Sequence, residues 1–90
     1  MSKITFAENA WEEYLYWQGQ DKKTLRKINS LLKTILRDPF DGDGKPEPLK
    51  GNRKGQWSRK INEKDRLFIR SMPEILLLYS VRVIMMINKR

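Results

Sequence analysis

One carboxylate in the sequence is held between two prolines and followed by a dense run of cations. Glu47 lies between Pro46 and Pro48 in KPEPLK, and the segment of residues 45–70 carries nine basic and three acidic side chains. Proline fixes φ, so the carboxylate is presented at low conformational cost, and nearby cations favour its ionised form. Such a carboxylate can accept the proton of a ribose 2′-hydroxyl while cations stabilise charge on the adjacent phosphate. One interpretation of the spacing is therefore metal-independent cleavage of RNA, which also needs an acid for the leaving 5′-oxygen.

The cations best placed for this chemistry belong to two predicted strands, QWSRKI and DRLFIR. Strands are rigid places from which to address a phosphate, and an arginine can do so with two donors. The candidates are Arg59, Lys60 and Arg66. An alternative interpretation makes Glu47 a turn residue that pairs with Lys45 or Lys50. From the residues alone, both interpretations stay open.

The overall charge and composition narrow the function classes. Nineteen Lys and Arg against eleven Asp and Glu give a formal charge of +8, and residues 45–70 alone contribute a net +6. A solvated basic face is one explanation, but concentration in one segment that contains Trp57 favours a polyanion partner, above all nucleic acid. The chain has no His and no Cys. Zinc sites, disulfides and Ser-His or Cys nucleophiles are therefore not expected, and neither is a metal or cofactor.

The first half of the chain predicts a short strand and two helices. KITF alternates as a strand does, and Thr5 with Glu8 forms a capping box for a first helix. Asp21 caps a second helix, which stops at Asp38 because the residue before a proline disfavours the helical region. Apolar side chains recur at helical spacing along this second helix, at Leu25, Ile28, Leu32 and Ile35.

The second half predicts a sheet. FDGDGKPEP is a loop, QWSRKI and DRLFIR are antiparallel strands, and EILLLYSVRVIMMI is a third strand that is mostly buried. The order β-α-α-β-β-β predicts an α+β domain in which two helices pack on one face of an antiparallel sheet. With 90 residues, the chain is expected to form a single domain over residues 1–90.

Two further features bear on the partners of the protein. Helical spacing puts Trp11, Tyr14 and Leu15 on one face, which favours a core or subunit contact over stacking on nucleic-acid bases. The apolar run ILLLYSVRVIMMI is too short for a membrane span and contains Arg82, and the N-terminal residues lack a signal-peptide pattern. A soluble cytoplasmic protein without a membrane partner is expected.

Several uncommon motifs occur together in this sequence. GKPEPLK, WSRKI and DRLFI, with AWEEYLYWQ, DKKTLRKIN and RDPF nearer the N-terminus, resemble the YoeB and Txe toxins of the RelE-like superfamily from about Ile4 to Ile69. The resemblance implies a type II toxin, a ribosome-dependent endonuclease that cuts mRNA in the A site of the 30S subunit. It also implies a homodimer and neutralisation by a YefM-type antitoxin.

The resemblance further implies roles for individual residues. Glu47 corresponds to the general base of the family, and Arg66 to the arginine that stabilises the transition state. Arg59 and Lys60 stand where the family has the basic pair of WSRR, and Lys50 would bind phosphate. RNA or phosphate contacts are thus expected from Lys50, Arg59 and Lys60.

The C-terminal residues depart from the family pattern. Family members end in His-Tyr, where the His is the general acid, whereas this sequence has no His and closes with VIMMINKR. Tyr79 is nearby in sequence, but a phenol is a poor substitute. Loss of an acid typically removes roughly a hundredfold to ten-thousandfold of rate, so weak or absent cleavage is expected. The alternatives are an inactive protein that binds the ribosome, RNA or an antitoxin, and a basic DNA-binding partner.

The permitted codons offer one explanation for this departure. The run IMMI, residues 84–87, requires ATN ATG ATG ATN, which spells Asp-Asp when the frame starts two bases later. With GTC for Val83 and ATT for Ile84, the two preceding shifted codons become CAT and TAT, or His-Tyr. Residues 71–90 are therefore interpreted as the product of a frameshift between Arg66 and Ser71, with coincidence as the alternative. A poorly packed segment is expected after Ser71.

Overall fold

A computed structural model describes residues 3–81 and shows two helices packed on a five-stranded sheet. The strands lie in the order β1-β5-β4-β3-β2 across the sheet. In chain order the elements are β1 (Lys3–Phe6), α1 (Glu8–Gln20), α2 (Lys22–Arg37), β2 (Glu47–Pro48), a 3₁₀ turn (Gly51–Arg53), β3 (Trp57–Lys60), β4 (Arg66–Ser71) and β5 (Ile75–Ser80).

The predicted α+β fold class is confirmed, and the sheet is mixed rather than wholly antiparallel. Strands β2 to β5 pair antiparallel with their neighbours, but β1 pairs with β5 in parallel, from Lys3 opposite Ile75 to Phe6 opposite Leu78. Alternation in KITF predicts a strand without specifying its partner or direction. A parallel pair needs a long connection, which the two helices and the rest of the sheet supply.

The core lies between the sheet and the two helices. In α2 the predicted Ile28 and Ile35 are fully buried, but Leu31 is fully buried as well, whereas Leu25 and Leu32 are only partly covered. The apolar stripe of α2 is therefore rotated relative to the prediction. The buried cluster comprises Ala10, Trp17, Ile28, Leu31, Ile35, Ile61, Leu67, Ile69, Leu76, Leu78 and Val81.

Helix α1 differs more from its prediction. It begins after Ala7 without a side-chain cap, so the predicted capping box is wrong. Its buried residues are Ala10 and Trp17, and the Trp17 indole N–H donates to the Val81 carbonyl oxygen at 2.6 Å. Trp11 and Leu15 are 48% and 43% exposed, so a core role for them is wrong. A subunit contact through this face stays a prediction.

Strand β5 is well packed. Leu76, Leu78 and Val81 are at most 1% exposed and belong to the core cluster. The expectation of poor packing after Ser71 is therefore wrong for residues 75–81. The part of the same expectation that concerns Met85, Met86 and Ile87 lies outside the described residues. Within residues 3–81, neither helix has the length and apolar character required to cross a membrane.

Asp21 caps α2 as predicted, and its ionisation makes the stability of this cap depend on pH. Its carboxylate accepts hydrogen bonds from the Lys23 backbone N–H at 3.0 Å and from the Thr24 hydroxyl at 2.6 Å. The Thr24 hydroxyl bond is the main cause that lowers the pKa of Asp21 below its usual value. A lowered folded-state pKa gives stability that is present at neutral pH and lost as the pH falls through that pKa.

We therefore expect Asp21→Ala to lower Tm at neutral pH, because two donors at the start of α2 lose their acceptor. The difference from the parent protein should shrink only when the pH falls through the lowered pKa of Asp21, because the parent carboxylate is protonated below that pKa. Thermal unfolding followed by circular dichroism at the two pH values measures both effects. Asp21→Asn keeps an acceptor and should lose less, and an unchanged neutral-pH Tm in Asp21→Ala would contradict this role.

Candidate active site

The sheet has one face toward the helices and a second, open face. Successive residues of a strand point to opposite faces, so residues directly opposite each other in register share a face. Glu47 on β2 lies opposite Ser58 on β3, which lies opposite Phe68 on β4. Two pairs further along, and so on the same face, Lys60 lies opposite Arg66. We call the group that shares this side of the sheet the open face: Glu47, Ser58, Lys60, Arg66, Phe68 and Arg70.

The predicted base and the predicted transition-state cation meet on the open face. Glu47 Oε1 is 3.9 Å from Arg66 Nη1, and the two side chains are 65% and 38% exposed. This distance is an ion-pair distance and is too long for a hydrogen bond. The pair is therefore close enough to act on one group while both members keep donor or acceptor sites free for a substrate.

Ser58 helps to orient Arg66 and was not among the predicted site residues. It is 1% exposed, and its hydroxyl oxygen lies 3.4 Å from Arg66 Nη1 and accepts a long hydrogen bond. Ser58 precedes Lys60 by two positions in an alternating strand, which puts both on one face. That spacing is the signal by which the sequence could have identified it.

Two of the three predicted phosphate-binding residues are accessible. Lys60 is 34% exposed, and its Nζ lies 3.3 Å from Glu63 Oε2 in an exposed ion pair that a phosphate can replace at little cost. Lys50 is exposed just before the 3₁₀ turn, in the segment that leads away from Glu47. Lys60 also lines a cleft with Lys27 and Lys45 that continues the basic surface toward α2.

Arg59, the third predicted phosphate-binding residue, lies on the opposite side of the sheet. Its side chain is 0% exposed and its guanidinium donates hydrogen bonds to Thr34 and to carbonyl oxygens of the loop after α2. The prediction of a phosphate contact for Arg59 does not fit this position, because a phosphate could reach the guanidinium only if the loop opened. The motif alone could not separate Arg59 from Lys60, although strand alternation puts such neighbours on opposite faces.

Burial affects the charge of Arg59. Removal from water is the main cause that lowers the pKa of Arg59 below its usual value, and the nearby carboxylates of Asp38, Asp43 and Asp41 act in the opposite direction. Arginine has so high an intrinsic pKa that the side chain stays charged. The buried guanidinium is thus balanced by an acidic loop rather than by a substrate.

A stacked pair borders the same face. The Arg53 guanidinium carbon lies 4.6 Å from the centroid of the Phe68 ring, a cation–π contact that covers this otherwise open aromatic side chain. Among the described residues, no group of three or more His, Cys, Asp or Glu side chains could hold a metal ion. The arrangement supplies a base and several cations, but no histidine that could protonate a leaving group.

Comparison with known proteins identifies relatives across nearly the whole chain. The model of YoeB-like toxins of bacterial type II toxin–antitoxin systems matches residues 6–84. Toxin YoeB of Synechocystis sp. is 54% identical over 80 residues, which are 89% of this chain and 93% of that protein. Toxin YoeB of Escherichia coli is 48% identical over 80 residues, which are 89% of this chain and 95% of that protein.

Solved structures agree with these sequence matches. The YoeB dimer from Staphylococcus aureus has a TM-score of 0.85 and 42% identity, and the match covers 92% of this chain and 97% of that one. A heterotetrameric YoeB–YefM toxin–antitoxin complex from the same organism has a TM-score of 0.85 and 41% identity, with 93% and 98% covered.

Proposed function

This chain belongs to the YoeB-like toxins of bacterial type II toxin–antitoxin systems, and we propose that it is built to cut mRNA in the A site of the 30S ribosomal subunit. The observation that carries this proposal is the exposed Glu47 carboxylate, 3.9 Å from the Arg66 guanidinium. A base and a cation at this separation can contact the 2′-hydroxyl and the adjacent phosphate of one nucleotide. A cytoplasmic location is part of the proposal, because mRNA is translated there.

In the proposed mechanism, Glu47 accepts the 2′-hydroxyl proton as the 2′-oxygen attacks phosphorus. The bond from phosphorus to the 5′-oxygen breaks, which leaves a 2′,3′-cyclic phosphate and a 5′-hydroxyl. Arg66, held by Ser58, stabilises the negative charge that develops on the phosphate oxygens. Lys60 and Lys50 bind neighbouring phosphates of the mRNA.

The leaving 5′-oxygen needs a proton, and this sequence has no histidine to give it. We propose that cleavage by this chain is therefore weak, with binding to RNA and the ribosome retained. The frameshift explanation for residues 71–90 stays a prediction, and the family match through residue 84 and the packed strand β5 oppose it. If cleavage is absent altogether, the chain is an inactive protein that binds the ribosome or the antitoxin.

Two protein partners are proposed by similarity. The Staphylococcus aureus relatives form a YoeB dimer and a heterotetramer with YefM, at identities of 42% and 41% to this chain. A YefM-like antitoxin and a second copy of the toxin are accordingly proposed for this protein. The exposed Trp11 and Leu15 of α1 offer apolar surface for one of these contacts.

A cleavage assay on programmed ribosomes tests the proposed activity. Primer extension should show cuts in the A-site codon when the parent protein is added, and none with free mRNA alone. Stable binding to programmed ribosomes without cuts would support the inactive-binder alternative. Tighter, salt-dependent binding to duplex DNA than to ribosomes or RNA would support the DNA-binding alternative and overturn the proposal.

The basic residues of the open face predict a specific salt dependence. Binding to single-stranded RNA should weaken with salt, and Lys60→Glu should lower the slope of log K against log salt by about 0.7, because one phosphate contact is lost. Lys3→Glu changes the charge equally at the opposite edge of the sheet and should leave the slope unchanged. Fluorescence anisotropy at several salt concentrations measures both slopes. Equal slopes in the two variants would show that Lys60 does not contact phosphate.

A further inference from the structure

The Arg59 guanidinium is the centre of the loop between α2 and β2. Nη1 donates to the Thr34 hydroxyl at 3.1 Å and to the Asp43 carbonyl oxygen at 2.9 Å. Nη2 donates to the carbonyl oxygens of Asp38 at 2.7 Å and Asp41 at 2.9 Å. The two Nη groups thus hold four acceptors, while the buried Nε–H has no partner among the described residues. Three of those acceptors are backbone groups of one short loop.

The loop follows this guanidinium closely. Gly42 and Gly44 have φ values of 123° and 86°, and Lys45 has a φ of 51°, a region that few residues other than glycine adopt. A Cβ on Gly44 would lie 2.9 Å from Leu31 and 3.1 Å from the Arg59 Cβ, so the backbone passes directly over β3. The Gly44 carbonyl also accepts a hydrogen bond from the Lys60 N–H at 2.7 Å. The loop is therefore packed closely against both β3 and α2.

The same loop delivers Glu47 to the open face. Gly44 and Lys45 lead through Pro46 into β2, where Glu47 pairs with Ser58. Ser58 and Arg59 are consecutive and point to opposite faces of the sheet. Arg59 thus holds, from the helix side, the loop that carries the carboxylate on the other side. A shift of the loop would move Glu47 relative to Arg66, which is fixed on β4.

We infer that Arg59 is a positioning residue for Glu47: its guanidinium sets the loop of residues 38–45 and thereby the separation of Glu47 and Arg66. This inference builds on the proposed function, in which Glu47 is the base. Lysine keeps the charge but replaces the planar fork by one ammonium, which cannot reproduce two pairs of acceptors in a fixed plane. Arg59→Lys should therefore loosen the loop without removing the buried charge.

The first test requires no catalytic activity. In protein labelled with carbon-13 glutamate, the Glu47 carboxyl resonance is assigned by its loss in Glu47→Gln. In Arg59→Lys this resonance should move toward its position in Arg66→Met, because the carboxylate leaves its cation. Arg70→Lys, which changes an arginine on the open face, is the matched control and should leave the resonance in place.

Amide hydrogen exchange separates a local effect from general destabilisation. In Arg59→Lys the Lys60 amide, bonded to Gly44, should exchange about tenfold to a hundredfold faster, as expected when charge-assisted hydrogen bonds are lost. The Ala7 amide, bonded to Leu78 at the far side of the sheet, should keep its rate. Equal acceleration at both amides, or an unmoved Glu47 resonance, overturns the inference. If Arg59→Lys does not fold, Thr34→Val removes one acceptor and should give smaller changes in the same direction.

Kinetics then connect the loop to the reaction. In a cleaving form of the protein, Arg59→Lys should lower kcat on the order of a hundredfold, the effect of misplacing a catalytic group by about 1 Å, with little change in RNA affinity. The same substitution should add nothing further in a Glu47→Gln background. Full additivity in the double variant would contradict action through Glu47. Absence of cleavage in every form would overturn the proposed function, whereas the resonance and exchange measurements would still decide the role of Arg59.

Discussion

Glu47→Gln is expected to reduce ribosome-dependent mRNA cleavage by roughly a hundredfold to ten-thousandfold, the usual contribution of a positioned general base. The amide keeps the size of the side chain and its place opposite Ser58, but it cannot accept the 2′-hydroxyl proton. The effect should appear in kcat rather than in RNA affinity, because the carboxylate acts on the reacting atoms. It is best measured in a version of the protein with a complete His-Tyr ending, where the parental rate is high.

The matched control for this prediction is Glu63→Gln. Glu63 is 91% exposed and pairs with Lys60 near the same site. The Glu63→Gln substitution therefore removes the same charge as Glu47→Gln but leaves the proposed base in place. Its cleavage rate should stay within a few-fold of the parent rate. Cleavage by Glu47→Gln at the rate of Glu63→Gln would show that Glu47 is a turn residue, the alternative that the sequence left open.

The second large effect on cleavage is expected from a repair of the gene. A one-base repair between the codons of Arg66 and Ser71 should restore the His-Tyr ending and raise cleavage by roughly a hundredfold to ten-thousandfold, because the leaving 5′-oxygen regains an acid. The repaired gene should also stop growth when it is expressed without an antitoxin. Primer extension on programmed ribosomes and a growth assay measure these two outcomes.

The DNA itself supplies the simplest check of this idea. The bases that run from the last base of the Val83 codon through Ile84 to the second base of Met85 must read CATTAT. Any other sequence at this position means that the histidine-free ending is native. The packing of Leu76 and Leu78 in the core shows that β5 is formed by the sequence as it stands, so a repair upstream of Ser71 would exchange this strand as well as the ending.

The sequence predicted those elements whose signals are local. Helix α2 has an Asp21 cap, a regular apolar spacing and a stop before Pro39, and all three signals act within a few residues of each other. Helix α1 has apolar and aromatic residues on several sides, so its spacing could not tell that Trp17 is buried and Trp11 exposed. Which of the two tryptophans is buried depends on Val81, which is far along the chain and whose carbonyl oxygen accepts the hydrogen bond from Trp17.

In the candidate site, too, residues with local signals could be predicted and residues that depend on distant contacts could not. Glu47 and Arg66 could be predicted because prolines, charges and motif resemblance mark them directly. The role of Arg59 could not be predicted, because its burial depends on a loop that surrounds its guanidinium and lies about twenty residues earlier in the chain. A basic pair in a strand shows only that one member faces each way, and the tertiary fold decides which one meets the solvent.

The parallel pairing of β1 with β5 has a consequence for biosynthesis. Strand β1 leaves the ribosome before the other strands of this sheet, but it pairs with a strand that is made about seventy residues later, as Lys3 opposite Ile75 shows. Contacts between residues so distant in sequence form late and at a high entropic cost, which slows folding. Because β5 also lies between β1 and β4, a nascent chain that lacks it has two incomplete sheet edges. The native sheet therefore forms only after β5 has been synthesised, and until then the newborn chain exposes unpaired strands that can associate with other chains.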